Sequence, residues 1–169
     1  MTFIAAIVSL AVFTAVPAFA DIEVRFVEGA PKDRFVFTAT ENFCAGGPVA
    51  ITVNLEGSAG ALIFDVTDSG AGVEIFQPFE VVAGADVLLG TSAVSDGDVA
   101  LTLELSALTP QSPVAFTIDV DDTQGGREIT VAGSEILGGT VSVAIEGVVK
   151  EATFNERAVA LIEWSACQS

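Results

Sequence analysis

The sequence predicts an all-β domain, an Ig-like or Greek-key β-sandwich, and three observations predict it. Apolar and polar residues alternate with a period of two along most of the chain, the pattern of half-buried strands. Clusters of Gly, Pro, Asp, Asn and Ser break the alternation at the short, regular spacing of a sandwich or barrel. No segment after residue 20 keeps a helical period with recognisable caps.

Taken in order, residues 3–16 come first as an apolar run, too short to span a bilayer comfortably. The run ends in Ala18-Phe19-Ala20, the small-x-small pattern that signal peptidase reads. The expectation is therefore a secretory signal over residues 1–20 and one mature domain over 21–169, placed in the periplasm or outside the cell. No Lys or Arg precedes the apolar run, so either the α-amino group alone supplies the positive charge or the true start lies upstream. The alternative is a retained membrane anchor. No cysteine follows the cleavage point, which argues against a lipid anchor.

Strands follow. Ile22, Val24 and Phe26 alternate with Glu23 and Arg25, and residues 29–33 read as a turn. Phe35 and Phe37 continue the pattern. Val49, Ile51, Val53 and Leu55 make the next strand, a Gly57–Gly60 turn follows, and Leu62, Phe64 and Val66 follow the turn. Val99 to Leu105, Val114 to Val120 and Val141 to Ile145 are further clear alternations, and a last strand covers residues 158–164. Trp164 reads as a core or sheet-edge anchor. Phe76 and Phe79 flank Gln77-Pro78 and are expected to pack across a strand break, because proline interrupts a ladder.

Composition narrows the functions available. Removing 20 of 169 residues leaves 149, enough for one domain with a core. A hydrophobic content of 51% is too high for a disordered chain, even at a net charge of −17. With 23 acidic residues against 6 basic ones, neither nucleic acid nor an anionic membrane is an expected partner. The absence of His and Tyr removes His-based triads, His metal sites and Tyr nucleophiles. No serine nucleophile motif is present, and no pair of carboxylates is marked by an apolar setting that would raise a pKa. A non-enzymatic protein is expected, with a carbohydrate-active enzyme using two carboxylates as the remote alternative.

The most informative feature is a repeat. Residues 49–55 read VAITVNL and residues 99–105 read VALTLEL; residues 65–75 read DVTDSGAGVEI and residues 119–129 read DVDDTQGGREI. Order and register agree in both copies, which predicts an internal duplication of a three-strand unit. In each unit a strand ends in Asp-Val-x-Asp, a Gly-containing turn follows, and Glu-Ile opens the third strand. The competing explanation is that hairpin grammar draws on few residue types.

Each copy places acids at the same positions, Asp65, Asp68 and Glu74 in the first, Asp119, Asp122 and Glu128 in the second, with Asp121 in addition. Asp96 and Asp98 make a third acidic turn. Calcium seeks several oxygen ligands from carboxylates and loop carbonyls, and acids at strand ends beside Gly-rich backbone supply them. The competing explanation is solvated turn acids bonding their own backbone. Neither an EF-hand loop nor an RTX nonapeptide is present. Cys44 and Cys167 both lie in the exported part, where a disulfide is expected; two buried thiols are the alternative.

The stretches DIEVRFVEGAPKDRFVFT (21–38), ALIFDVTDSGAGVEIFQPFEVVAGAD (61–86), FTIDVDDT (116–123) and ITVAGSEI (129–136) together cover much of the mature chain. They resemble small secreted bacterial proteins grouped as "aggregation factor core" proteins, named after sponge adhesion proteoglycans whose cores contain calcium-binding β-sandwich repeats. The resemblance implies adhesion and calcium, with Asp119, Asp121 and Asp122 as the best matches to acidic loop ligands. The expected function is thus a secreted binding or adhesion module, calcium-stabilised and directed at an extracellular glycan or protein surface. The alternative is a structural subunit of a self-associating assembly.

Overall fold

The computed structural model describes residues 20–43, 47–72, 75–124 and 130–164. Its strands are β1 (Ile22–Val27), β2 (Asp33–Ala39), β3 (Val49–Asn54), β4 (Ile63–Phe64), β5 (Glu80–Ala83), β6 (Leu88–Thr91), β7 (Ala100–Leu105), β8 (Val114–Ile118), β9 (Val120–Asp121), β10 (Thr140–Ile145), β11 (Val148–Thr153) and β12 (Val159–Ile162). A single turn of 3-10 helix covers Gly133–Ile136. No helix among the described residues is long and apolar enough to cross a membrane.

Two five-stranded antiparallel sheets form a β-sandwich, ordered β12-β1-β2-β8-β5 and β11-β10-β3-β7-β6. Strands β4 and β9 pair separately as a short two-stranded ladder. Alternation decides which face each strand buries. Ile22, Val24, Phe26, Phe35 and Phe37 point inward from the first sheet, and Ile51, Val53, Leu101, Leu103, Val141 and Val143 from the second; all belong to one core. Phe116 is its hub, stacked on Phe35 at 5.0 Å and on Phe37 at 5.8 Å, with Phe79 tilted against it at 5.0 Å. Burying each such ring stabilises the fold by roughly 1.5–3 kcal/mol.

Three strands lack the alternation that marks the others. Strand β11 opens on Val148 and Val149, both exposed, because it is an edge strand with an open outer side. It exists because Glu146 and Gly147, at φ of 50° and 82°, make a two-residue turn that folds it back on β10. Strands β5 and β6 are four-residue edges, each with a register shift against its neighbour. The third strand expected to open at Glu74-Ile75 is not found where it is described: residues 75–79 are irregular and β5 starts at Glu80. The expected strand from Val114 to Val120 breaks at Asp119 into β8 and β9.

The repeated segments lie against each other in a particular register. Strands β3 and β7 are adjacent and antiparallel, and Thr52 pairs with Thr102, its counterpart in the repeat. Their hydroxyls are 2.8 Å apart. Strands β4 and β9 run on so that the Asp65 N–H donates to the carbonyl of Asp119, again its counterpart, at 3.2 Å. Thr140 and Val141 of β10 pair with Asn54 and Val53, whereas Gly90 and Thr91 of β6 pair with Glu104 and Leu103, the matching positions of β7.

Candidate functional site

One end of the sandwich gathers carboxylates. Asp33, Asp65, Asp119, Asp121 and Asp122 are all at most 7% exposed. Asp33 opens β2 opposite Ile118. Asp119 sits in the break between β8 and β9, Asp121 ends β9, and Asp122 follows it. Asp65 follows β4 and is joined to Asp119 through the backbone of Gln77: the Asp119 N–H donates to the Gln77 carbonyl, and the Gln77 N–H to the Asp65 carbonyl.

Asp33, Asp65, Asp119 and Asp121 lie close enough to act on one another. The Asp33 carboxylate accepts from Gly29 N–H at 3.1 Å and Val120 N–H at 3.2 Å. Burial nevertheless dominates and raises its pKa from 3.8 to about 8, with Asp119 and Asp121 adding repulsion. Burial also raises Asp119 to about 7, with repulsion from Asp121 and Asp65 next. The expectation that no carboxylate pair occupies a perturbing apolar setting is therefore corrected: Asp33 and Asp119 do. They are 2% and 4% exposed. Asp119 Oδ2 is buried with no hydrogen-bond partner among the described residues. A buried carboxylate in that state is costly unless it takes up a proton or a cation.

The third acidic turn does different work. Asp96 accepts from the Val66 N–H at 2.7 Å, the Thr67 N–H at 2.8 Å and the Thr67 hydroxyl. These donors hold its pKa below the usual value, the Thr67 hydroxyl most strongly. Asp98 Oδ2 caps the Ser95 N–H at 2.7 Å. Both are committed to the backbone, which docks their loop onto the first acidic turn. Asp68 is exposed on that turn, beside a cavity of about 50 Å³ lined by Asp65, Thr67, Ser69, Gly70 and Gly72. Gly72, at φ 132°, lies so close to Asp65 that a Cβ there would overlap the carboxylate. The glycine lets the loop wrap around a buried acid.

Of the acids expected to act together, the structure thus brings Asp65, Asp119 and Asp121 to one place, with Asp122 buried next to Asp121 in the chain and Asp68 exposed on the neighbouring turn. Glu74, Glu128, Cys44 and Cys167 lie outside the described residues, as do residues 1–19. Asp33 is a cluster member that reading residues 29–33 as a turn missed. Its signal was present, since it stands in phase with Phe35 and Phe37 and so had to face inward. Among the described residues no three such side chains converge on one point as a ready metal-binding group. Calcium would draw in at most a few of these carboxylates and complete its shell with carbonyl and water oxygens, which it accepts readily. Comparison with family models, with curated proteins and with solved structures returns no match.

Proposed function

We propose that this chain is an exported, non-enzymatic binding or adhesion module whose sandwich is stabilised by calcium at the carboxylate cluster. The observation that carries the reading is Asp119: buried, in a repulsive field of neighbouring acids, with one oxygen lacking a donor among the described residues. A divalent cation relieves all three conditions at once. The cluster sits at the end where the two repeated units meet, which supports an internal duplication with a shared acidic centre. Export places that centre where calcium is plentiful. Its affinity is expected to be that of extracellular modules, on the order of 10⁻⁴–10⁻³ M.

Export also bears on the cysteines. Phe43, the neighbour of Cys44, packs edge-on against Trp164, three residues before Cys167, with ring centroids 6.4 Å apart. Trp164 N–H donates to the Asp21 carboxylate at 2.6 Å, so the end of the chain is tied to its mature start. Both contacts support a Cys44–Cys167 disulfide. The function is tested by melting the oxidised protein in excess EDTA and in millimolar calcium. A rise in melting temperature with calcium that Asp119→Asn abolishes is expected; identical melts would refute the calcium reading.

A further inference from the structure

The chain has only six basic residues, and three of them stand on one surface. Arg25 on β1, Arg34 on β2 and Arg157, in the turn before β12, are all exposed on or beside the outer face of the first sheet. Arg25 and Arg157 also line a cleft of about 540 Å³, between the end of β1, the 3-10 turn and the turn before β12. A second hollow of about 130 Å³ is also lined by both arginines. A cleft of this volume falls within the range of small-ligand sites.

The lining has a distinct chemical character. Its floor includes Phe26 and Ala158, its rim Glu28 and Glu156 beside the two arginines. Glu28 is held in place by the Gly133 N–H. Arg25 bonds Glu23 at 2.7 Å in an exposed ion pair, which is weak and readily exchanged. The Arg157 guanidinium has no hydrogen bond or ion pair among the described residues. Guanidinium groups donate in a fork that fits a carboxylate, while the two glutamates only accept and so suit hydroxyl donors. Phe26 is 3% exposed and no other aromatic among the described residues lines the cleft, so none of them offers a ring for sugar stacking. Recognition there rests on charge and hydrogen bonds, and a ligand carboxylate would use the guanidinium forks that a neutral sugar leaves partly unmatched.

We infer that this cleft binds a sugar acid, a ring bearing one carboxylate and several hydroxyls, within an acidic polysaccharide. The carboxylate lies on Arg157 and Arg25, and the hydroxyls donate to Glu28 and Glu156. The inference rests on the binding-module reading and names its ligand class, but it uses none of the acidic-cluster residues. Arg25 and Arg157 balance Glu28 and Glu156, so the cleft is locally neutral on a chain of net charge −17 and offers an acidic ligand two guanidinium donors.

The test is titration calorimetry of the oxidised protein with a short oligouronate, in EDTA so that no calcium bridges the two. A neutral oligosaccharide of equal length and an acidic peptide serve as comparisons. The oligouronate alone is expected to bind, Arg157→Ala to weaken it about tenfold or more, and Arg34→Ala to leave it unchanged. Arg34 carries the same charge on the same face but does not line the cleft. Equal losses from both variants would reduce the effect to general charge and overturn the site, as would preference for the peptide or no binding at millimolar ligand. If binding fails while calcium still raises the melting temperature, only the cleft inference falls; if both fail, the module reading falls with it.

Discussion

Replacing Asp119 by Asn removes one charge from the cluster and almost nothing else. The side chain is 4% exposed, and Asn has the same shape. Its pKa rises from 3.8 to about 7 on folding. At about 1.4 kcal/mol per pH unit, ionising it in place costs up to roughly 4 kcal/mol. The Asn amide recovers part of that and brings a donor that neighbouring carboxylates can accept. In EDTA at pH 7.5 the variant should therefore be more stable than the parent, by about 2 kcal/mol. For a domain of this size that is a melting temperature about 4–8 °C higher. Calcium at ten times its dissociation constant should add about 1.4 kcal/mol to the parent, roughly 3–6 °C, and little to the variant. The assay is a thermal melt followed by far-ultraviolet circular dichroism, run for both proteins with and without calcium. If Asp119→Asn is less stable than the parent in EDTA, the buried carboxylate is not a burden, and the reasoning from repulsion to cation binding fails.

Three further outcomes follow from the same geometry. Asp33 and Asp119 have folded pKa values raised to about 8 and about 7, so the native state holds protons that the unfolded chain releases near 4. Their contribution is complete below pH 4 and is lost as pH rises toward 8; in EDTA, the unfolding free energy from urea titrations should fall across that window by up to about 1.4 kcal/mol per pH unit for each group. A melting temperature that climbs steadily from pH 4 to 8 would contradict this. Gly72→Ala should destabilise the domain by at least 1–3 kcal/mol and abolish any calcium response, because the new methyl overlaps the Asp65 carboxylate and the backbone stands at φ 132°; chemical denaturation with and without calcium reads both effects. Intact mass of the exported protein should lack residues 1–20 and two thiol hydrogens. Reduction should lower stability by about 4–5 kcal/mol on the chain-entropy model, and full alkylation without reductant would exclude the disulfide.

Much of the fold was legible because the chain alternates so regularly. Wherever one face of a strand is buried, as in β1, β2, β3, β7 and β10, a period of two appears directly in the residue types. The edge strands were not legible for the converse reason. Strands β5, β6 and β11 bury little on either face, so no alternation is imposed on Glu80-Val81-Val82-Ala83 or on Val148-Val149-Lys150-Glu151. The site was half legible. The repeat pointed to Asp65 and Asp119, and their contact depends only on strand register. That turn acids can bond their own backbone was the competing explanation, and Asp98 does so; that Asp96 would instead take the Val66 and Thr67 N–H groups of another loop depends on the fold, which brings those donors to it. Arg25 and Arg157 are 132 positions apart and share a cleft only because β12 returns to lie beside β1.

The register of the second sheet bears on how the domain comes apart. Strand β6 is hydrogen-bonded to β7 and β10 to β3, so the central pair of similar strands, β3 and β7, is flanked on each side by a strand from outside the repeated segments. Neither of the pair stands at an edge, and releasing either one opens the flank of the other. The sheet is therefore expected to come apart as one cooperative block rather than strand by strand.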